Sequence, residues 1–303
     1  MRIGVDLGGT KIEAIAIAPD GRELQRRRVA APQGDYQRSV TAIVALVHEL
    51  ERATALRGTV GVGIPGAISP ATGLVKNANS TWLIGHPLAA DLSRALDRPV
   101  RLANDANCFA LSEAADGAAA GAPIVFGVIL GTGTGGGVVV DGRIVEGRNR
   151  IAGEWGHNPL PAPNDDERPG PPCYCGRRGC IETFLSGPAL RRDHHAATGE
   201  DLPAMEIAAR AEGGDTGAGS SLSRYEDRLA RALAGVINIL DPHVIVVGGG
   251  LSNIARLYAN VPARWTGHVF SDRVETTMVR AKHGDASGVR GAAWLWDRGD
   301  SGK

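Results

Sequence analysis

The sequence predicts a mixed α/β protein of two domains, and three observations carry that expectation. Apolar segments of strand length each run into a glycine-rich turn, around residues 2–11, 124–137 and 243–250. Between them, 37–57 and 225–240 repeat apolar side chains at helical spacing. The length of 303 residues suits about two domains of about 100–200 residues.

Taken in order, residues 2–8 (RIGVDLG) form a strand, Gly-Gly-Thr-Lys turns the chain, and 12–18 return as a second strand ending at Pro19-Asp20-Gly21. Val40, Ile43, Val44 and Val47 mark a helix over 37–57. Residues 59–69 form a strand with spaced glycines that opens into a loop through LVKNANSTW. Pro99 to Leu102 is a short strand delivering Asn104-Asp105-Ala106-Asn107 to its end, and an alanine-rich helix follows over about 106–120.

Residues 124–130 begin a second strand–turn–strand unit, with GTGTGGG as the turn, VVV as the returning strand and Asp141-Gly142 as the next hairpin. That repeats the N-terminal plan and suggests two related halves. The polar, proline-rich stretch 158–172 is a loop. Leu229, Leu233, Val236, Ile237 and Leu240 share a helix face that Asp241-Pro242 ends. HVIVVGGGLSN then reads as strand, glycine turn and helix start, and about 286–297 form a closing helix.

Charge excludes some functions. There are 33 Lys+Arg and 33 Asp+Glu, so the net charge is zero and no basic surface for nucleic acid is expected. The N-terminus MRIGVDLGG lacks the apolar core of a signal peptide, and the longest apolar runs fall well short of the ~18 residues of a membrane span. A cytoplasmic protein without a membrane partner is expected. Glycine is in excess, 42 residues or about 14% against a usual ~7%. The glycines gather at a few places, where bare backbone lets a ligand come close.

Three turns stand out: Asp6-Leu7-Gly8-Gly9-Thr10-Lys11, Gly131-Thr132-Gly133-Thr134-Gly135-Gly136-Gly137 and Gly248-Gly249-Gly250. Exposed amides and threonine hydroxyls at such turns suit phosphate, although each alone is also a tight hairpin. The second turn meets the G-x-G-x-x-G spacing through Gly131, Gly133 and Gly136. A strand follows it, so the helix N-terminus that a dinucleotide site requires is missing. Gly-Lys-Ser/Thr of a Walker loop is also absent from the first two turns, which leaves a nucleotide site of another design.

Asp105, at a strand end beside Asn104, has the chemistry of a general base for a substrate hydroxyl that Asn104 fixes. Helix capping explains the same two residues. Gly153-Glu154-x-x-His157 and Cys173-x-Cys175-x4-Cys180-x-Glu182 offer three thiolates and one imidazole, a closed and therefore structural zinc set. Cys108 stands apart as a small core residue, and His194-His195 as a solvated helix face. Ordered by the metal, Glu154 and Glu182 would present acceptors to a polyhydroxylated neutral ligand such as a sugar.

These residues resemble the ROK group of sugar kinases and repressors, through DLGGTK (6–11), GIPG (63–66), NDAN (104–107), GTGTGGG (131–137), GEWGH (153–157), CYCGRRGCIE (173–182) and DPHVIVVGGGLSN (241–253). The elements span nearly the whole chain in family order. KHGDASGVRGAAWLW (282–296) and the wording around Cys173 look most like the bacterial fructokinase/mannokinase branch.

The resemblance implies a two-domain actin/hexokinase-like (ribonuclease H-like) fold with ATP and sugar in an interdomain cleft. Domain one would be 1–118, joined by a C-terminal helix at about 290–303, and domain two 119–289 with the zinc loop. ATP and Mg²⁺ would lie on Asp6, Gly8, Gly9, Thr10, Lys11, Thr132, Gly133, Thr134 and Gly135, with Gly248, Gly249 and Gly250 near the adenosine. Asp105 would be the catalytic base, and Gly66, Asn77, Asn104, Glu154, His157 and Glu182 would contact the sugar. His157 would also join Cys173, Cys175 and Cys180 on zinc.

The implied activity is an ATP:hexose kinase, a fructokinase acting on the 6-hydroxyl, in a homodimer. Alternatives are an N-acetylglucosamine kinase, a glucokinase, or a sugar-responsive repressor. The repressor reading is disfavoured because the first strand begins at residue 2, leaving no room ahead of it for a helix-turn-helix.

Overall fold

A computed structural model describes residues 1–296. The elements in order are β1 (Arg2–Leu7), β2 (Lys11–Ile17), β3 (Glu23–Ala30), α1 (Tyr36–Thr54), β4 (Thr59–Ile64), β5 (Ala67–Ile68), β6 (Val75–Lys76), α2 (Leu88–Leu96), β7 (Val100–Asn104) and α3 (Asp105–Ala115). There follow β8 (Ile124–Leu130), β9 (Thr134–Val140), β10 (Arg143–Ile144), α4 (Glu182–Leu185), α5 (Gly187–Thr198), α6 (Ala204–Glu212) and α7 (Thr216–Leu240). β11 (Val244–Gly248), α8 (Leu257–Trp265), β12 (Thr277–Arg280) and α9 (Ser287–Trp294) complete the described chain.

Two five-stranded sheets share one plan. Their orders are β3-β2-β1-β4-β7 and β10-β9-β8-β11-β12, so in each the third, second, first, fourth and fifth strands are neighbours. In the first, β1 pairs antiparallel with β2 and parallel with β4, which pairs parallel with β7. The repeated strand–turn–strand in the sequence supplies neighbouring strands of each sheet, β1 with β2 and β8 with β9.

The chain divides into two compact units, one of residues 1–121, 137–152 and 285 onward, the other of 122–136 and 153–284. In the first unit, Val40, Ile43, Val47 and Leu50 of α1 are buried with Ile3, Val5, Val60 and Val62 of the sheet. Asp35 caps α1 by accepting from the Arg38 amide at 2.9 Å. α9 packs on the same sheet because glycine stands beneath it. A Cβ on Gly4 would lie 2.0 Å from the Val289 carbonyl oxygen, and one on Gly61 1.9 Å from that of Ala292. The spaced glycines of β1 and β4 are therefore a seat for a helix.

Several boundaries differ from the sequence reading. The helix expected over 106–120 ends at Ala115, because buried Glu113 turns its carboxylate onto the following chain and accepts from the Ala118 amide at 2.8 Å. Ser287 of α9 donates to the other oxygen of that carboxylate at 2.8 Å. α7 starts at Thr216, nine residues before 225, capped by Asp215. Of the closing helix, expected to 297 and by resemblance to 303, positions 297–303 lie outside the described residues. His194 is not solvated: it is 1% exposed, with Nδ1 3.0 Å from Ser221 Oγ, because α5 turns this position onto α7. His195 remains on the exposed face. Cys108 is fully buried, as a core residue should be.

No helix among the described residues is long and apolar enough to cross a membrane.

Candidate functional site

The chemistry-bearing residues gather in two groups, one in each unit. In the first unit, Asp6 lies at the end of β1 and leads into the Gly8-Gly9-Thr10 turn, which the Gly8 amide closes onto the Lys11 carbonyl at 3.0 Å. Lys11 opens β2 with its ammonium 3.6 Å from Glu13, a carboxylate that also holds Arg26 and Arg28. Burial pushes the Asp6 carboxyl up to about 6; the Asp105 charge adds to the rise and Lys11 opposes it. The two aspartates are thus electrostatic neighbours across the ends of β1 and β7. Burial, then Asp6 and Asp105, also push the Cys108 thiol up, so Cys108 is a neutral packing group beneath them.

Asn104 is the N-cap of α3. Its side-chain oxygen accepts from the amides of Ala106 at 2.9 Å and Asn107 at 3.4 Å, and its amide nitrogen donates to the Gly66 carbonyl at 3.1 Å. The capping explanation therefore holds for Asn104, and the same contacts tie it to the β5–β6 hairpin. Gly66 sits at φ +87°, and a Cβ there would lie 2.4 Å from the Lys76 carbonyl oxygen, so the site tolerates only glycine. Asn77 follows Lys76 in the left-handed region at φ 56° and is exposed. Asp105, in the first turn of α3, is exposed and stands where a helix N-terminus favours negative charge. Gly66, Asn77, Asn104 and Asp105 are brought together here.

In the second unit, the glycine run is half turn and half strand. The Gly131 amide bonds the Gly133 carbonyl at 3.0 Å, and β9 begins already at Thr134. Glycine at 136 is a packing requirement, since a Cβ would lie 2.8 Å from the Trp155 ring and 2.9 Å from Phe126. The expectation of one seven-residue turn is corrected accordingly. The GEWGH segment clamps this strand. Trp155 Nε1 donates to the Gly135 carbonyl at 2.9 Å, and Gly156 approaches the Thr134 carbonyl so closely that a Cβ would stand 2.0 Å from it. Glu182 then reaches the turn from α4 and accepts from the Thr134 amide at 3.0 Å. Thr132, Gly133, Thr134, Gly135 and Glu182 form one cluster, with exposed Glu154 leading into the same segment.

His157, Cys173, Cys175 and Cys180 place four donor atoms within 4.8 Å of one another. Tetrahedral zinc with bonds of about 2.3 Å to sulfur and about 2.0–2.1 Å to nitrogen has S···S edges of about 3.8 Å and S···N edges of about 3.5 Å. Cys175 Sγ lies 3.7 Å from Cys180 Sγ, and Cys173 Sγ 3.5 Å from His157 Nδ1. The cage fits such an ion. Hydrogen bonding to Arg177 pulls the Cys175 thiol down to about 6, while burial and its sulfur neighbours push Cys180 up to about 12. A cation at the centre removes that mutual penalty.

Sequence reasoning missed Tyr174. It sits between two cysteines of the four-donor cage, and its hydroxyl lies 2.9 Å from His157 Nε2 with the rings edge to face at 5.1 Å. Its position inside C-x-C was the available signal. Trp155 and Gly156 were visible only as letters in GEWGH, because what they touch lies some twenty residues away. At the third turn, Gly249 takes φ +81° and comes so near Leu130 that a Cβ would lie 2.4 Å from its carbonyl oxygen. Gly248 is buried at the end of β11, whereas Gly250 faces open space.

Residues 2–299 match the sequence profile of the ROK family. An N-acetyl-D-glucosamine kinase of Yersinia pseudotuberculosis is 42% identical over 299 residues, which is 97% of this chain and 98% of that protein. A ROK hexokinase from Thermus thermophilus superimposes with a TM-score of 0.85 at 31% identity, covering 97% of both chains. A ROK family glucokinase from Streptomyces griseus, solved with glucose and AMPPNP, gives a TM-score of 0.76 at 29% identity over 97% of this chain and 98% of its own. The architecture is that of these neighbours, the actin/hexokinase-like fold expected above.

Proposed function

The chain belongs to the ROK family, and from that premise we propose that it is an ATP-dependent sugar kinase that phosphorylates the 6-hydroxyl of N-acetyl-D-glucosamine. The observation that carries the substrate is 42% identity, along almost the whole of both chains, to an N-acetyl-D-glucosamine kinase. Fructose, expected from the closing segment and the wording around Cys173, finds no such support and becomes a competitor in the test. Glucose is the second reading, favoured by the 29% identity to a glucokinase solved with glucose.

Asp105 takes the proton of the sugar hydroxyl as its oxygen attacks the γ-phosphorus and ADP departs. Two features support that role: its place in the first turn of α3, where a helix N-terminus favours negative charge, and a rigid base in the Asn104 cap. Gly66, Asn77, Asn104, Glu154, His157 and Glu182 hold the sugar. The first glycine turn, from Gly8 to Lys11, and the second, at Thr132 to Gly135, offer amides and hydroxyls to the phosphates, and Gly248 to Gly250 approach the adenosine. Asp6, crowded by Asp105, is suited to hold Mg²⁺, which supplies neutralisation of phosphate charge. Zinc in the four-donor cage serves structure, fixing the loop that carries His157 and leads to Glu182.

The test is ADP production with Mg-ATP and N-acetylglucosamine, N-acetylmannosamine, glucose, fructose or mannose. The highest kcat/KM is expected with N-acetylglucosamine. A higher value with glucose or fructose would replace the substrate and keep the class, and no turnover with any sugar in zinc-loaded protein would remove the kinase reading.

A further inference from the structure

With a metal ion on Nδ1, the neutral imidazole of His157 carries its proton on Nε2 and has one hydrogen bond to give. In the structure that bond goes to the hydroxyl of Tyr174, 2.9 Å away. Tyr174 otherwise has few ties: the residue is 83% exposed, although it lies between two ligating cysteines. Its hydroxyl also lies within electrostatic reach of Glu182 and Glu154. A single aromatic hydroxyl therefore contacts His157 and feels the charges of Glu154 and Glu182, the three side chains proposed to hold the sugar.

We infer that Tyr174 is a positioning residue of the sugar site: its hydroxyl occupies the Nε2–H of His157 in place of a sugar hydroxyl, holds the imidazole plane, and gives way when sugar arrives. The inference rests on the kinase reading for the identity of the incoming ligand, and on the observed contact for everything else. An Nε2–H donates one good hydrogen bond, so the phenol and the sugar compete for it. Release costs little beyond that bond, because so exposed a side chain has little packing to lose. The net value of one hydrogen bond, about 0.5–1.5 kcal/mol, corresponds to roughly a two- to tenfold effect on affinity.

The experiment compares the zinc-loaded chain with Tyr174→Phe, which keeps the ring and removes the competing oxygen. Calorimetric titration with N-acetylglucosamine is expected to show a two- to fivefold lower Kd in the variant, with the kinetic gain falling on KM rather than on kcat. Zinc affinity, measured by competition with a chromophoric chelator, is expected to stay within a factor of two. Unchanged or weaker sugar binding overturns the inference, and so does a tenfold loss of zinc affinity, which would make Tyr174 a fixed part of the metal site. A second readout needs no sugar. NMR of zinc-loaded chain with ¹⁵N-labelled histidine should show a protected Nε2–H on His157 that disappears in the variant. Its absence from the unmodified chain overturns the inference, whereas its presence in a chain that binds no sugar would place the failure in the kinase reading.

Discussion

Glu182 Oε2 accepts a hydrogen bond from the backbone amide of Thr134 at 3.0 Å, across 48 residues of sequence. A carboxylate proposed for the sugar is thereby anchored on a turn proposed for phosphate. Gly133 makes the approach possible, since a Cβ there would lie 2.7 Å from the same oxygen. The amide at the start of β9 is thereby taken by the protein's own carboxylate, which leaves the other amides and the hydroxyls of the turn for a phosphate.

If Asp105 is the base, Asp105→Asn keeps the cap on α3, because Asn104 supplies it. Turnover should fall by about 10²–10⁴-fold, with sugar affinity within a few fold by calorimetry. Near-normal kcat would refute the role.

Asp6 presents the opposite balance of stability and function. Its folded pKa of about 6 lies above the ordinary aspartate value, so between the two the folded state binds more protons and stability falls as pH rises. By pH 7 the loss is complete, having accumulated at about 1.4 kcal/mol for every pH unit that separates the folded and unfolded pKa values. Asp6→Asn should therefore raise the urea midpoint at pH 7 by the equivalent of about 2–3 kcal/mol, and the gain should vanish near pH 4. Turnover should collapse in the same protein.

Two glycines of the second unit differ in what they meet. A Cβ on Gly156 would stand 2.0 Å from the Thr134 carbonyl, which is backbone and cannot yield, whereas one on Gly133 meets the end of the Glu182 side chain. Gly156→Ala should cost about 3 kcal/mol or more, at the upper end of overpacking effects. Gly133→Ala should cost less stability while displacing Glu182 and raising the sugar KM. Thermal melts and steady-state kinetics separate the two.

The loop that precedes the cysteines is pinned by a buried ion network. Glu167 receives Arg228 at 2.7 Å and Arg231 at 2.9 Å. Burial alone would raise its carboxyl, but the two arginines prevail and hold it below the usual range. The stabilisation is present above the unfolded carboxylate pKa of about 4.3 and is lost as pH falls through the lower folded value. Glu167→Ala leaves two buried arginines short of their partner and should cost about 3–5 kcal/mol at pH 7. Its penalty should shrink below pH 4, measured as the difference in urea midpoint.

If the four-donor cage holds zinc, chelation should release one equivalent per chain and loosen the segment around 157–182 specifically. Hydrogen exchange before and after chelation is expected to show lost protection there, with β1, β4 and α9 unchanged. Cys180→Ser should reproduce the effect, since it removes a buried sulfur of the cage.

Much of this protein is written locally. The apolar strand before each glycine turn, the caps, the clustered cysteines and Asn104-Asp105 at a strand end are set by neighbours in sequence, because dihedral preference, alternation and metal-ligand spacing are short-range properties. Tertiary structure decided what those features touch. His194 reads as polar and solvated until α7 covers it. Gly4 and Gly61 read only as glycines within strands until α9, more than two hundred residues later, lies on them. The end of α3 depends on where the Glu113 carboxylate turns, and the extent of the second turn on Trp155 packing against β9. The bonds from Glu182 to Thr134 and from Tyr174 to His157 join residues 48 and 17 positions apart. No local preference encodes them: a hydrogen bond between distant groups forms only where packing of the whole unit has already brought donor and acceptor within about 3 Å.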